Sequence, residues 1–286
     1  MKLSPYGVDL GKIIRLAIRP NIAFGPVESG DDSVFPEDGL LRIPDAVPAH
    51  LCDQAIRDYD DFEVFRESRG CAVRGANGRN YRLVNFHLES KSLLAAGLCD
   101  SFHKVATAFF RRQSTIYTSL SYKHGSQQKA HVDTPYFWTR PFNLFVGVWL
   151  ALEDVAPDAG PLFYYPGSHR LFLREDQLID VYCRANGDLQ GMFDLIREEV
   201  EKTTRPEPVL IRKGDAVVWH PGIVHGGMVA TDPKATRFSI VYHFAPLGVN
   251  VRNNAFPRDF RNFPTYGVVQ KGGNYYCRVS LPATML

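Results

Sequence analysis

From Thr115 onward the chain is written in short β-type runs with turn residues between them: TIYTSLSY, LFVGVWLAL, PLFYY, VLIRKGDAVVW and RFSIVYHFA. Runs of this length, rich in Val, Ile, Phe, Tyr and Trp, are too short for helices and too numerous for one hairpin, so they must pair into sheets. RKGD at 212–215 and PGSH at 166–169 each read as a hairpin turn. Upstream the texture is mixed. GLLRIPDAV at 39–47 reads as a short strand. After Pro48, Leu51, Ala55, Ile56 and Tyr59 fall on one helical stripe, and SLLAAGLCDSFHKVATAFFRR at 92–112 predicts a second helix interrupted near Gly97. Helices with one apolar face need a sheet to cover, so the expected architecture is mainly β, a double-sheet jelly roll with helical support.

No repeat, low-complexity tract or Pro/Gly/Ser linker divides the 286 residues, so one domain is expected over 1–286, with 247–286 as a C-terminal extension. Residues 171–207 break the strand rhythm with a polar, partly helical segment, an insertion that serves either as a substrate lid or as peripheral packing. Lys+Arg number 33 against 31 Asp+Glu, so no global field points to nucleic acid, and a small-molecule partner must be read from a site. Cys52, Cys71, Cys99, Cys183 and Cys277 are odd in number and scattered. That pattern fits neither a disulfide framework nor a zinc ribbon and favours a reducing cytoplasm. The apolar run from Ile13 to Ile18 is broken by Arg15 and is too short and charged for a membrane span. Residues 11–20 read as a helix packed on the domain, with a basic amphipathic helix on a membrane surface as the alternative.

The chemistry concentrates in AHVDTPYFW at 130–138. In an extended segment alternate side chains share a face, so His131 and Asp133 point one way and Val132 the other. A third candidate ligand, His225, sits in a glycine-flanked bend of WHPGIVHGGM just before a strand. Two histidines and a carboxylate make the facial triad of non-haem iron(II) oxygenases, which leaves positions open on the metal. Downstream, Arg237 and Ser239 lie two apart on one face of RFSIVYHF. A guanidinium that grips a carboxylate with two parallel hydrogen bonds, with a hydroxyl beside it, is what a dicarboxylate such as 2-oxoglutarate requires.

With these motifs the sequence resembles the phytanoyl-CoA hydroxylase (PhyH) family of iron(II)/2-oxoglutarate-dependent dioxygenases. The resemblance runs from Leu40 to Pro246 and is strongest in HVDTPYFWTRPFNLFVGVWLALEDV, GPLFYYPGSHR, KGDAVVWHPGIVHGG and RFSIVYHFA. It implies a double-stranded β-helix, the cupin-like jelly roll. It implies His131, Asp133 and His225 as iron ligands, Arg237 and Ser239 as partners of the 2-oxoglutarate carboxylate, and Trp149 in the cosubstrate pocket. Fe(II), 2-oxoglutarate and O2 would then hydroxylate a C–H bond of a small or medium organic molecule, releasing succinate and CO2. The chain departs from the family at Val132, where some members carry glutamine, and at Gly227, where a serine is sometimes found. Because related halogenases replace the carboxylate with a small residue, Asp133 favours oxygen insertion or desaturation over halogenation.

Two other classes stay open at this point: a cupin-like binding or regulatory protein, and a redox-inert isomerase or hydrolase that holds zinc or manganese. Arg237 and Ser239 separate the oxygenase from the redox-inert enzyme, since a hydrolase has no use for a 2-oxoglutarate anchor. Among the remaining polar residues, His220 and His169 read as structural, and His243 alternates with Arg237, Ser239 and Val241 toward the same interior. Asn85, His87, Ser119 and Lys123 fit either the barrel mouth or a solvated surface. Arg111, Arg112 and Arg140 fit an anionic substrate or a solvated face, and Phe137 and Trp138 a pocket wall or ordinary packing.

Overall fold

The computed structural model describes residues 29–68, 82–249, 251–253, 267–271 and 273–278. Residues 11–20 and Cys71 lie outside these. Three helices lead into the β-rich part: α1 (Ala49–Ser68), α2 (Lys91–Gly97) and α3 (Asp100–Phe110). The break expected near Gly97 separates α2 from α3, and Ser90 caps α2 by accepting the Leu93 N–H at 3.1 Å.

Thirteen strands are described: β1 (Leu40–Ile43), β2 (Leu83–Val84), β3 (Ser114–Tyr122), β4 (Phe137–Thr139), β5 (Val146–Ala151), β6 (Leu162–Tyr164), β7 (Glu207–Pro208), β8 (Ala216–Trp219), β9 (His225–Gly227), β10 (Ser239–Pro246), β11 (Val251–Asn253), β12 (Gly267–Lys271) and β13 (Asn274–Arg278). Eight of them form the major sheet, in the order β1-β8-β5-β10-β3-β13-β12 with β2 added on β3; β7-β6-β9 form a minor sheet and β11-β4 a two-stranded ribbon. Among the described strands only the β13–β3 pairing is parallel. RKGD is a turn, with Gly214 at φ +86°, but it is not the hairpin expected: its flanks, β7 and β8, belong to different sheets. The turn carries the chain from one layer to the other.

The side-chain period of two sorts each major strand into two faces. Val146, Val148 and Leu150 of β5, Val218 of β8, and Ile240, Tyr242 and Phe244 of β10 meet Cys52, Ala55, Tyr59, Leu93, Phe102, Ala106 and Phe109 of the helices. Each such fully buried large side chain stabilises the fold by roughly 1.5–3 kcal/mol. On the other face Trp149, Val217, Trp219 and Val241 pack toward Leu162 and Tyr164 of the minor sheet. A bulge interrupts the β3–β10 register, where His243 pairs with Thr118 but Phe244 with Ile116. The extra residue, Tyr117, reverses the parity of β3, so Ile116 joins the helix-side core while Thr118, Leu120 and Tyr122 line the inner cavity.

The 171–207 segment is a helical hairpin, α4 (Glu175–Arg184) and α5 (Leu189–Val200). Its apolar face, including Leu178, Met192, Phe193 and Ile196, packs with Val132, Trp138, Tyr165 and Val224. None of the described cavity wall comes from it. No helix among the described residues is long and apolar enough to cross a membrane.

Three histidines away from the cavity are buried in the neutral form. Burial pushes His87 down to about 3 and His103 and His169 to about 4. Between their ordinary value near 6.5 and these lowered values the unfolded chain binds protons that the folded chain refuses, so stability falls as pH drops through that window. Each buried imidazole then removes about 1.4 kcal/mol per pH unit. Urea midpoints should therefore be lower at pH 5 than at pH 7, and His87→Gln should flatten the dependence.

Candidate active site

Two chain segments are clipped together by a single β-bridge. The His131 N–H donates to the His225 carbonyl at 2.9 Å, and the His225 N–H returns a bond to the His131 carbonyl at 3.0 Å. Their rings therefore sit side by side, centroids 4.5 Å apart. In each imidazole Nδ1 lies against the backbone carbonyl two residues earlier, Lys129 at 2.8 Å and Ile223 at 3.1 Å. A carbonyl can only accept, so Nδ1 carries the proton and the Nε2 lone pair is left for the cavity. Asp133 completes the group, its Oδ1 3.6 Å from His131 Nε2 and its Oδ2 3.7 Å from His225 Nε2. Val132 points the opposite way, buried against the α4–α5 hairpin.

Ligand atoms of His131, Asp133 and His225 all lie within 4.8 Å of one another, and all three residues are buried. Among the described residues this is the one such cluster. Two neutral imidazole nitrogens and a carboxylate oxygen suit a borderline divalent ion such as Fe(II), Mn(II) or Zn(II). Electrostatics favour the same state. Burial alone would raise the Asp133 carboxyl, yet the surrounding imidazoles of His225, His131 and His243 outweigh it and hold the group well below the usual carboxylate range. Burial likewise pushes His225 down to about 4, which keeps it an unprotonated ligand at neutral pH.

These ligands open onto a cavity of about 400 Å³ between the major and minor sheets. Arg237, Trp149, Tyr122, Leu162 and Val241 form one side. The Arg237 side chain is 3% exposed and donates from Nη1 to the Gly160 carbonyl at 2.8 Å, while its buried Nε has no partner. Gly160 delivers that carbonyl from a left-handed turn at φ +70°, where a Cβ would meet the Met228 carbonyl oxygen at 2.7 Å. The guanidinium lies over Trp149, 5.4 Å from the ring centre, and burial brings it down to about 10. A buried cation with an unused donor, facing the same cavity as the triad, is a dock for an anion. Ser239 is fully buried beside it, with its hydroxyl turned to the Arg237 carbonyl at 3.3 Å.

Comparison with known proteins agrees with this geometry. The family model for phytanoyl-CoA dioxygenase (PhyH) matches residues 35–232. The chain belongs to the phytanoyl-CoA dioxygenase family. The human peroxisomal phytanoyl-CoA dioxygenase is 34% identical over 124 residues, 43% of this chain and 35% of that protein. A zebrafish (Danio rerio) phytanoyl-CoA dioxygenase domain-containing protein 1 is 31% identical over 122 residues, 42% and 39% of the two chains. The match thus spans little more than a third of either relative. Among solved structures, the non-haem α-ketoglutarate-dependent carbocyclase SnoK aligns with a TM-score of 0.59 at 18% identity, over 84% of this chain and 92% of that one. EctD from S. alaskensis, solved with 2-oxoglutarate and 5-hydroxyectoine, aligns with a TM-score of 0.58 at 16% identity, over 81% and 83%. At such identities the likeness is one of fold.

The family match ends at residue 232, so Arg237, Ser239 and His243 lie beyond it. His243 lines the cavity with Phe137, the two rings 3.9 Å apart, whereas Trp138 packs behind the wall. His220 makes structural bonds, accepting from the Gly222 N–H at 3.1 Å and donating to Asp32 at 3.0 Å. Asn85 braces β3 by accepting from Thr118 Oγ1 and the Ser119 N–H, and His87 bonds Ser119 at 2.6 Å on the helix side. Lys123, Arg111 and Arg140 are engaged by Asp60, Asp31 and Glu175. Trp219 reaches the site unforeseen, its indole Nε1 donating to Asp133 Oδ2 at 3.2 Å. A tryptophan in AVVW reads as core, and the residue type alone carries no other signal.

An unmatched buried guanidinium is costly to the empty protein. Arg237→Met keeps the length and removes the charge, so urea denaturation of the metal-free variant should show a gain of about 1–3 kcal/mol over the wild type.

Proposed function

We propose that the protein is a non-haem Fe(II)/2-oxoglutarate-dependent dioxygenase that hydroxylates a C–H bond of a small or medium organic molecule. The carrying observation is the convergence, in one cavity, of the His131–Asp133–His225 cluster and the unmatched guanidinium of Arg237. His131, Asp133 and His225 would hold iron. Arg237 would take the far carboxylate of 2-oxoglutarate, with Trp149 as the wall beneath it and Ser239 fixing the Arg237 backbone. When bound, iron and cosubstrate supply the oxidising power, drawn from O2 as 2-oxoglutarate becomes succinate and CO2. The chain contributes position: the bridge between His131 and His225 fixes two ligands, the hairpin backs them, and the cavity beside them gives the substrate a place next to the ligands.

A cavity of about 400 Å³ shared with the cosubstrate supports a substrate of modest size. The facing of two antiparallel layers across it supports the double-stranded β-helix, with the chain as one catalytic unit. A redox-inert enzyme would need the three ligands but not Arg237, whose burial without a counter-charge makes sense only if an anionic partner arrives.

Anaerobic addition of Fe(II) and 2-oxoglutarate to the metal-free protein should give the weak visible charge-transfer band of a chelated 2-oxo acid. Asp133→Ala should abolish it, and Arg237→Ala should weaken 2-oxoglutarate binding about 10–100-fold, the worth of a charge-assisted hydrogen bond. No band in the wild type, together with unchanged 2-oxoglutarate binding in Arg237→Ala, refutes the oxygenase.

A further inference from the structure

Across three neighbouring strands of the major sheet, His243 of β10 pairs with Gly147 of β5, and Gly147 pairs with Trp219 of β8. All three face the cavity side. The middle position has no side chain, and the space is taken: a Cβ on Gly147 would fall 2.2 Å from Trp219 Cε2 and 2.4 Å from its Nε1. The indole thus lies across the glycine. From there its Nε1–H reaches Asp133 Oδ2 at 3.2 Å, while its ring packs on His225 with centroids 4.8 Å apart. From the other side His243 Nε2 stands 3.5 Å from the same Oδ2, pressed there by Phe137. His243 is 1% exposed, and neither of its ring nitrogens has a hydrogen-bond partner.

We infer that Trp219 is a positioning residue that fixes the Asp133 carboxylate through Oδ2, with His243 packed on its other side, so that the carboxylate is held in one orientation toward the His131 and His225 rings. The inference rests on the metal-site reading above. An aspartate among imidazoles is free to turn about its last torsion and to chelate with both oxygens; a directional N–H on Oδ2 removes that freedom. The indole is the donor, and His243, 3.5 Å from Oδ2 without a hydrogen bond to it, fills the space on the other side. Gly147 is the enabling residue, since any larger side chain would push the indole off the carboxylate.

Trp219→Phe keeps the ring over Gly147 and on His225 but deletes the donor. Mn(II) titration of the metal-free protein should show affinity about 10–100-fold weaker in Trp219→Phe. The ligand-field bands of bound Co(II) should change in Trp219→Phe, a signature that lost packing alone would not move. A metal-independent readout accompanies these: the Trp219 indole N–H resonance of the wild type, identified by its loss in Trp219→Phe, should shift in Asp133→Ala. If Trp219→Phe binds Mn(II) within about twofold of a wild type that binds it well, and the Co(II) bands are unchanged, the positioning role is refuted while the metal site stands. If the wild type takes up neither ion, the metal site itself fails and the positioning role with it. An indole resonance indifferent to Asp133→Ala overturns the hydrogen bond whatever the metal does.

Discussion

The reciprocal backbone bonds between His131 and His225 are the constraint on which the site depends. They join a loop that follows β3 to the first residue of β9 and set two imidazoles side by side. The same local device then acts twice, an imidazole Nδ1 bonded to the carbonyl two residues earlier, so each ring is fixed in orientation and in tautomer by its own segment. Backbone geometry does this before any ion is considered. Such preorganisation is what a metal site needs, because ligands already in place lose little freedom on binding.

Around that clip the major sheet separates two unlike interiors. Its helix-facing side is apolar, with Phe102, Phe109, Ile116, Val148, Ile240 and Phe244 in continuous contact, and it supplies the hydrophobic stabilisation. The space on its inner side gathers Asp133 from the loop before β4, His225 from the minor sheet, Arg237 from the loop before β10 and His243 from β10, all buried, where a purely structural protein would place hydrocarbon. Arg237 shows the tension most plainly: its Nε is buried without a partner, and burial lowers its affinity for its own proton. A stable outer layer lets a destabilised inner one persist, as expected where strain and unmatched charge serve binding.

Much of this was legible in the sequence. The β texture, the helical stripe after Pro48, the break near Gly97 and the H-x-D pair follow from side-chain periodicity, which depends only on neighbours a few residues away. Taken singly His225 would read as structural; its joint occurrence with His131, Asp133 and Arg237, and resemblance to a family, made the set legible. Trp219 and Gly147 were not legible. A tryptophan and a glycine in apolar strands read as core and as a weak spot, and their joint role exists only through cross-strand register. The RKGD turn shows the same limit: its local chemistry is correct, but whether it joins neighbours in one sheet or carries the chain between sheets depends on pairings far away.

Left to itself, the sequence determined which segments are strands and helices, and which residue types are available to bind a metal and an anion. Only the tertiary structure decided which faces meet. The bulge at Tyr117 reverses the parity of β3, so that Thr118, Leu120 and Tyr122 line the cavity while Ile116, two positions before Thr118, joins the opposite core. Alternation along TIYTSLSY would have placed Ile116 and Thr118 on one face. The bulge arises from matching β3 to β10, an interaction between distant segments whose geometry no local period encodes.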